Sequence, residues 1–352
     1  MKFKPHLDAL YRVNPPQGRD DYLRLDMNEN PEGLPEAFVR NVLDGFSSGN
    51  LARYPEKVAL TIELSDYLGV DPKSILFGNG SDDLIKSVYE VFGAPGTNVV
   101  SVYPTFEMYA VFAKMYDMEH KMLHYDSSTW SVRADDLIDL IDDRTAIVSV
   151  LNPNNPIGTV FTEDEVRRII RRADEIGAVV VIDEAYHYFF DKTFLNLVAE
   201  YENVILLRTF SKLCSIAGLR IGFAVAAPEV AAYMGKVKTS YDVNNIAIEF
   251  ARAIIRDKAL IEALTSRERA GRAYIVQKLE ASGHDYFAQN GNYVFIKCPE
   301  GVSPAEVSER MKEKGILIKT YSHPIFEGYF RITTGSKAVM EKFWNLYEQQ
   351  FA

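Results

Sequence analysis

The sequence predicts an α/β protein in which a mostly parallel, mixed sheet carries helices on both faces, joined to a smaller α+β domain. Two observations predict the sheet: short runs rich in Val and Ile recur through residues 74–226, and helical patterns separate them. Such runs are typical of strands buried on both faces, and their alternation with helices predicts crossover connections. After about residue 240, a long helical stretch precedes three further strand-like runs, which predicts the smaller domain.

Six apolar runs, each too short for a helix, predict the strands of the large sheet. They are SILFG at 74–78, NVVSV at 98–102, AIVSVL at 146–151, AVVVID at 178–183, VILLRTF at 204–210 and IGFAVA at 221–226. Helices are predicted between them, over residues 83–92, 105–115 and 162–175. The last begins with Thr162 and Glu165 at the spacing of a capping box, in which each side chain bonds to a free amide group. We expect these elements to form a large domain over residues 48–243.

Residues 1–47 and 244–352 are expected to form the small domain together with an amino-terminal arm. Its predicted elements are a helix near 36–46, a helical stretch at 244–282, strands at 293–298, 315–320 and 329–335, a helix before the second of these strands, and a carboxyl-terminal helix. The first fifty residues are rich in loops, and we expect them to pack against the carboxyl-terminal α+β region.

Composition and charge exclude several classes of protein. The 352 residues include 39 Lys plus Arg against 49 Asp plus Glu, a net charge of −10, whereas nucleic-acid binding requires a basic surface. The two cysteines, Cys214 and Cys298, are too few for a disulfide framework, and no apolar run is long enough to cross a bilayer. The six histidines lack companions at metal-ligand spacing, so no metal site is predicted. We therefore expect a cytoplasmic protein that binds neither nucleic acid nor membrane.

Polar, glycine-bearing or aromatic residues follow five of the predicted strands, at the edge where ligands bind in open α/β sheets. Asp183 would bring a carboxylate to a buried strand end, where it needs a partner; a helix cap or an ion pair explains it equally well. Lys212 would be partly desolvated, which favours the neutral amine that reacts with aldehydes. Taken alone, however, a surface lysine explains that position.

A glycine-rich turn at residues 78–83 joins a predicted strand to a helix, so its amide groups and the positive helix end could hold a phosphate. Capping of the helix by Ser81 or Asp82 explains the turn as well. The turn is neither a Walker loop nor a GxGxxG fingerprint, which disfavours nucleotide binding. Arg220 could bind a phosphate through both arms of its guanidinium, or it could simply be an exposed side chain at a sheet edge.

Eight motifs follow one another across nearly the whole chain: LDMNENPEG at 25–33, RYP at 53–55, GNGSDD at 78–83, YPTFEMY at 103–109, NPNNPIG at 152–158, IDEAY at 182–186, RTFSKLCSIAGLRIGF at 208–223 and FRITTG at 330–335. This set resembles the pyridoxal 5′-phosphate enzymes of aminotransferase fold type I, and among them the histidinol-phosphate aminotransferase-like branch. The resemblance implies an enzyme that transfers an amino group between a donor, with glutamate expected, and a small keto acceptor with or without a phosphate.

The resemblance implies catalytic roles for Lys212, Asp183 and Tyr186. Lys212 would bind the cofactor aldehyde and move a proton at the substrate α carbon. Asp183 would keep the pyridine nitrogen protonated, so that the ring accepts electrons. Tyr186 and Asn155 would donate hydrogen bonds to the phenolate oxygen of the ring, and Tyr103 would stack on the ring face.

The resemblance also implies sites for the anionic groups. The cofactor phosphate would lie against residues at a helix start and at the end of a neighbouring strand: Ser81, Asp82, Thr209, Ser211 and Arg220. Tyr54 would reach the cofactor phosphate of the neighbouring subunit, which implies a homodimer with shared active sites. Arg331 would bind the substrate carboxylate, and Lys319 would bind a second anion.

Three departures from the pattern of the branch bear on the substrate. Lys319 stands where an arginine is usual, Ile157 where a threonine is usual, and residues 13–16 (VNPP) where a tyrosine-containing motif is usual. All three leave cofactor binding intact and weigh against an imidazole-bearing substrate. Two alternatives stay open: a decarboxylase resembling threonine-phosphate decarboxylase, and a catalytically inactive binding protein of the same fold.

Overall fold

The computed structural model describes residues 1, 3–8, 10 and 17–351. In chain order the strands are β1 (Leu23–Arg24), β2 (Ile75–Gly78), β3 (Asn98–Tyr103), β4 (Glu119–His124), β5 (Thr145–Leu151), β6 (Val179–Asp183), β7 (Val204–Thr209), β8 (Gly222–Ala226), β9 (Tyr286–Phe287), β10 (Tyr293–Lys297), β11 (Ile316–Leu317) and β12 (Tyr329–Thr333). The helices are α1 (Glu36–Asp44), α2 (Ser48–Ala52), α3 (Val58–Leu68), α4 (Ser81–Phe92), α5 (Met108–Met115), α6 (Ala134–Asp139), α7 (Glu163–Asp174), α8 (Leu195–Glu200), α9 (Pro228–Lys236), α10 (Asn245–Arg256), α11 (Lys258–Ala281), α12 (Pro304–Glu313) and α13 (Lys337–Phe351).

A seven-stranded sheet with the order β2-β8-β7-β6-β5-β3-β4 forms the larger unit. Strand β8 runs antiparallel to both of its neighbours, and the remaining pairs are parallel. The predicted mostly parallel, mixed sheet is therefore confirmed. The edge strand β4 was not predicted as part of it, because its side chains Glu119, His120, Lys121 and His124 interrupt any apolar run.

Helices cover both faces of this sheet, as predicted. Along β6, Val180 lies in the core shared with α7 and α10, and the next residue, Val181, lies in the core shared with α4 and α5. Because successive side chains of a strand point to opposite faces, a strand covered on both faces is apolar throughout. The predicted capping box at the start of α7 is also present, since Thr162 Oγ1 accepts from the amide of Glu165 and Glu165 Oε2 accepts from that of Thr162.

The smaller unit is the predicted α+β arrangement. Strands β9, β10 and β12 form an antiparallel sheet, against which α11 and α13 pack. The amino-terminal strand β1 pairs in parallel with β11, and the amide of Thr333 donates to the carbonyl of Leu25 at 2.8 Å. This part of the first fifty residues therefore packs on the carboxyl-terminal region as expected. Helix α1 differs, because Phe38 and Val39 pack against the core of the large sheet.

Two predicted elements of the small unit are shorter in the structure. The run at 315–320 forms only the two residues of β11, and beyond it Lys319 pairs with Arg331 through an isolated bridge. The helical stretch at 244–282 is interrupted at Asp257, whose side chain accepts from the amide of Leu260 at 2.9 Å and so starts α11. Helix α10 contributes to the core of the large sheet. The domain division at residues 47/48 and 243/244 stays a prediction.

Candidate active site

A cavity of about 880 Å³ opens where the carboxyl-terminal edge of the large sheet meets the smaller unit. Strands β3, β5, β6 and β7 end at it, and residues 26–29 and 319–323 close it from the other side. It is lined by every predicted site residue except Tyr54, namely Ser81, Asp82, Tyr103, Asn155, Asp183, Tyr186, Thr209, Ser211, Lys212, Arg220, Lys319 and Arg331. The structure thus brings together side chains that are up to 250 positions apart in the sequence.

Asp183, the last residue of β6, lies at the bottom of this cavity and is only 2% exposed. Its two carboxylate oxygens accept from the amide of Ala185 and from Tyr109 Oη, each at 3.0 Å. Burial raises the pKa of this carboxyl to about 6. Among the described residues no cation pairs with Asp183, and it does not cap a helix. Both alternative explanations of this residue are therefore wrong, and the carboxylate is free to pair with a cationic ligand.

Lys212 extends into the cavity from the turn that follows β7. Its Nζ donates to the carbonyl of Met27 at 3.3 Å and lies 5.6 Å from the centre of the Tyr186 ring. The side chain is half-buried, so the alternative of a surface lysine is wrong. In the part of the chain that the structure describes, no carboxylate forms an ion pair with it, and the amine is available for chemistry in the cavity.

The start of α4 and the turn after β7 form a cup at one end of the cavity. Gly80 precedes the helix with φ = 81°, and a Cβ at this position would collide with the guanidinium of Arg220. Arg220 itself has φ = 56°, an uncommon conformation for a residue other than glycine. Its Nη1 donates to Ser211 Oγ at 3.4 Å, and Thr209 Oγ1 donates to the same oxygen at 2.9 Å. Helix amides, hydroxyls and a guanidinium thus converge as they do in phosphate sites.

Asp82 faces the same cup with its carboxylate, 3.5 Å from Arg220 Nη2. A carboxylate repels a phosphate, so this residue can serve an anion only through its backbone amide at the helix start. The ion pair instead orients the guanidinium over the helix end.

Arg331 lies in β12 and is only 3% exposed, although an arginine in an alternating strand is usually solvated. Its Nη1 donates to Asn155 Oδ1 at 3.1 Å and its Nη2 to the carbonyl of Asp26 at 2.8 Å, whereas its Nε has no partner among the described residues. No described carboxylate pairs with it. A buried guanidinium of this kind suits a carboxylate ligand, because an unpaired buried charge is costly.

Lys319 lies beside Arg331, since the two residues exchange backbone hydrogen bonds of 2.9 and 2.8 Å. Burial lowers the pKa of the Lys319 ammonium, and the neighbouring positive charge of Arg331 lowers it further. Its Nζ lies 5.6 Å from the centre of the Tyr321 ring. Two cations therefore share one wall of the cavity.

Tyr103 ends β3 on another wall and is half-buried. Its ring is in edge contact with His323 at 5.1 Å and with His124 at 5.5 Å between ring centroids. The ring of Tyr103 lines the cavity and is therefore accessible to a ligand bound there.

Three predicted positions lie elsewhere. Tyr54 is 73% exposed outside the cavity and stacks on Tyr241, with 4.1 Å between the ring centroids. Ile157 is buried in the core of the large sheet and does not line the cavity, so reading it as a substrate determinant was wrong. Residues 13–16 lie outside the described residues.

Two residues that contact the site were missed. Tyr109 is fully buried on α5, where its hydroxyl donates to Asp183, and burial raises its pKa well above the ordinary value. Asn28 is 2% exposed and donates to both Asn155 and Tyr186. Each belongs to a motif quoted above, but its side chain lies in a segment distant in sequence from its partners, and no spacing rule links them.

These features fit pyridoxal 5′-phosphate. An unpaired buried carboxylate suits a ring nitrogen that must stay protonated, and a cup that excludes a Cβ at Gly80 suits a phosphate. The volume of the cavity leaves room for a substrate beside the cofactor.

Comparison with known proteins agrees with this geometry. The family model "Aminotransferase class I and II" matches residues 20–345. Histidinol-phosphate aminotransferase 1 of Trichormus variabilis is 34% identical over 92% of this chain and 90% of its own length. The structure of histidinol-phosphate aminotransferase from Sinorhizobium meliloti in complex with pyridoxal-5′-phosphate superimposes with a TM-score of 0.85 at 21% identity, covering 99% and 98% of the two chains. L-threonine-O-3-phosphate decarboxylase from Porphyromonas gingivalis gives a TM-score of 0.77 at 22% identity, covering 93% and 99%. At these identities the two structures demonstrate a shared fold alone.

Proposed function

The chain belongs to the class I and II aminotransferases and is a pyridoxal-phosphate-dependent enzyme, and from this premise we propose that it transfers an amino group from glutamate to a small, phosphorylated keto acceptor. The observation that carries the proposal is the pair of cations on one wall, Arg331 and Lys319, without a carboxylate partner among the described residues. The name of the curated relatives includes a phosphate ester, which is consistent with a second anion in the substrate.

Pyridoxal phosphate supplies a ring that accepts electrons from the substrate when the amino group is transferred. In our proposal, Asp183 binds the ring nitrogen and keeps it protonated, because an ion pair relieves the cost of burying this carboxylate. Asn155 and Tyr186 donate to the ring oxygen, and Tyr103 packs on the ring face.

The cup holds the phosphate of the cofactor. Ser81 and Asp82 contribute amides at the start of α4, where the helix dipole is positive. Hydroxyl groups of Thr209 and Ser211 and the guanidinium of Arg220 complete the site.

Lys212 is the proposed catalytic base. Its Nζ accepts the proton that leaves the substrate α carbon, for which a primary amine in a partly desolvated site is suited. The Met27 carbonyl, which accepts from Nζ at 3.3 Å, keeps the amine directed toward the cavity.

Arg331 binds the carboxylate of glutamate, for which its two-armed guanidinium is the matching donor. Lys319, on the adjoining strand segment, binds the second anion of the acceptor. The ammonium group of a lysine is a compact charge without the fixed two-armed geometry of a guanidinium, so it can bind anions of different shapes.

We further propose a homodimer in the cytoplasm, with Tyr54 reaching the cofactor phosphate of the neighbouring subunit. In support, Tyr54 stacks on the exposed Tyr241, and large apolar side chains are also exposed near Tyr54 in the sequence, at Leu51, Val58 and Ile62. Isolated exposed apolar residues are ordinary, whereas a contiguous group marks an interaction site. In support of a reducing compartment, Cys214 and Cys298 are both free thiols. No described helix is long and apolar enough to cross a membrane.

The visible absorbance of the bound cofactor tests the reaction. We expect a visible band when the protein is mixed with pyridoxal phosphate, and its conversion to the amine form of the cofactor on addition of glutamate. Lys212→Ala should lose the band, whereas the exposed Lys73→Ala should retain it. Release of carbon dioxide without formation of a keto acid would instead indicate a decarboxylase, and a protein that stays colourless would contradict the whole proposal.

The substrate class is tested by the second half-reaction. We expect phosphorylated keto acceptors to regenerate the visible band faster than their unphosphorylated counterparts. Lys319→Met should reduce kcat/KM for the phosphorylated acceptor about tenfold to a hundredfold, the range for one charge-assisted hydrogen bond, and reduce it much less for the unphosphorylated acceptor. Equal losses for both types of acceptor would contradict the role of Lys319.

A further inference from the structure

A buried chain of hydrogen bonds connects Arg331 to Tyr186 through two asparagines. Arg331 Nη1 donates to Asn155 Oδ1 at 3.1 Å, and Asn28 Nδ2 donates to the same oxygen at 3.3 Å. Asn28 Nδ2 also donates to Tyr186 Oη at 2.8 Å. Among the described residues of this hydrogen-bond network, Asn28 is therefore the only one that contacts both Asn155 and Tyr186.

The direction of every bond in the chain follows from Arg331. A guanidinium can only donate, so Asn155 must present its oxygen toward Arg331. That oxygen faces Asn28, which must therefore present its NH₂ group. Tyr186 Oη meets this same NH₂ group and must accept from it, so the hydrogen of the Tyr186 hydroxyl is directed elsewhere.

Both remaining donors face the cavity. Within residues 17–351, neither the Tyr186 hydroxyl nor the Asn155 NH₂ group donates to another protein group, and both residues line the cavity. These are the two groups that we assign to the ring oxygen of the cofactor.

The backbone around Asn28 holds its side chain in place. Its amide donates to Thr333 Oγ1 at 3.0 Å, and its carbonyl accepts from Asn292 Nδ2 at 3.1 Å. Its φ of 57° lies in the left-handed region, which asparagine tolerates better than most residues. Thr333 Oγ1 also donates to Asn28 Oδ1 at 3.4 Å, which fixes the orientation of the amide.

We propose that Asn28 is a positioning residue that directs the Tyr186 and Asn155 donors toward the ring oxygen of the cofactor. The inference rests on the proposed function, because it concerns the same site. Two donors stabilise the negatively charged form of that oxygen, so that the bound cofactor changes its visible spectrum at a lower pH. Asn28 thus tunes this pH through its hydrogen bonds with Tyr186 and Asn155.

The test is a pH titration of the visible band in the cofactor-loaded protein. Asn28→Asp replaces the NH₂ group with an oxygen, which accepts the Tyr186 hydrogen instead of donating to Tyr186. It also opposes Asn155 Oδ1. We expect the midpoint of the spectral transition to rise by about one pH unit, a tenfold change in proton affinity, as for one hydrogen bond lost. Asn28→Gly accepts the positive φ and should raise the midpoint by a smaller amount, because it frees the Tyr186 hydroxyl without reversing it.

Asn30→Asp is the matched control. Asn30 lies in the same segment, but its Nδ2 donates to Ser215 Oγ at 2.7 Å and takes no part in the chain. This variant adds the same charge and should leave the midpoint within about 0.3 pH unit of the parent. In a Tyr186→Phe background, Asn28→Asp should give less than half of its shift, because the Tyr186 donor is already absent.

Equal midpoints in the parent, Asn28→Asp and Asn28→Gly proteins would overturn the inference and leave the proposed function intact. An equal rise in Asn28→Asp and Asn30→Asp would also overturn it, since added charge alone would then explain the shift. Failure of the proposed function would appear differently, as the absence of any visible band in the parent protein.

Discussion

Replacement of Asp183 by asparagine should stabilise the cofactor-free protein and inactivate the loaded enzyme. The carboxyl is 2% exposed and has no cation partner among the described residues, so burial raises its pKa from 3.8 to about 6. At 1.36 kcal/mol per pH unit, this corresponds to a cost of about 3 kcal/mol once the carboxyl is ionised in both the folded and unfolded states. Asparagine retains a group that accepts from Ala185 and carries no charge.

The sign follows from the protons bound by each state. Between pH 4 and 6 the unfolded chain has lost the proton of Asp183 and the folded protein still holds it, so raising the pH favours unfolding. The cost is therefore nearly absent below pH 3.8 and complete above pH 6. The free energy of unfolding of Asp183→Asn should exceed that of the parent by about 3 kcal/mol at pH 8 and by less than about 1 kcal/mol at pH 4.

Urea unfolding of both cofactor-free proteins at pH 4 and pH 8 measures this difference. Asp126→Asn is a suitable control, because hydrogen bonds from Ser128 and Thr129 lower the pKa of this carboxyl to about 2 and its effect should vary little between these two pH values. A difference between Asp183→Asn and the parent that is the same at both pH values would refute the reasoning. In the loaded enzyme, the variant should lose at least a thousandfold in kcat, since nothing else among the described residues would keep the ring nitrogen protonated.

Two further substitutions test the role of Arg331 in binding glutamate and the buried ion pair between Glu184 and Arg208 that follows β6. Arg331→Lys should raise KM for glutamate about tenfold to a hundredfold and change kcat less, because the lysine keeps the charge but loses the two-armed donor geometry of the guanidinium. Steady-state kinetics measures both parameters, and an unchanged KM would contradict the role assigned to Arg331. Glu184→Gln should lower the free energy of unfolding by about 3 to 5 kcal/mol. The carboxylate accepts from Arg208 Nε and Nη2 at 3.0 and 2.8 Å, and its neutralisation leaves the buried guanidinium without a counter-charge. Urea unfolding measures it, and a loss below about 1 kcal/mol would show that solvent reaches Arg208.

The large sheet could be predicted closely from the sequence, because its central strands are buried on both faces and therefore form uninterrupted apolar runs. The edge strand β4 could not be predicted in this way, since none of its side chains is fully buried and its polar residues break the apolar pattern. The same limit applies to the run at 315–320, of which only Ile316–Leu317 form a strand.

The active site followed from topology, since residues at the ends of parallel strands meet at one edge. Asp183 and Lys212 could be singled out in this way, and the structure excluded their ordinary explanations through burial and the lack of an ion pair in the described chain. Asn28 and Tyr109 could not be singled out, because their hydrogen-bond partners lie 74 or more positions away in the sequence. These contacts depend on how the segments pack in the fold. Ile157 shows the reverse error, as a motif position that belongs to the core.

The pairing of the amino-terminal β1 with β11, and of Leu25 with Thr333, also governs when the site can exist. The segment that carries Met27 and Asn28 is synthesised before the partners that fix it, which lie about 300 positions later in the chain. A ribosome-bound chain that ends before residue 316 lacks these partners, although it already contains Asp183 and Lys212. The enzyme should therefore acquire activity only after Thr333 has been synthesised, and a nascent chain that stops before residue 316 should lack one wall of the cofactor pocket.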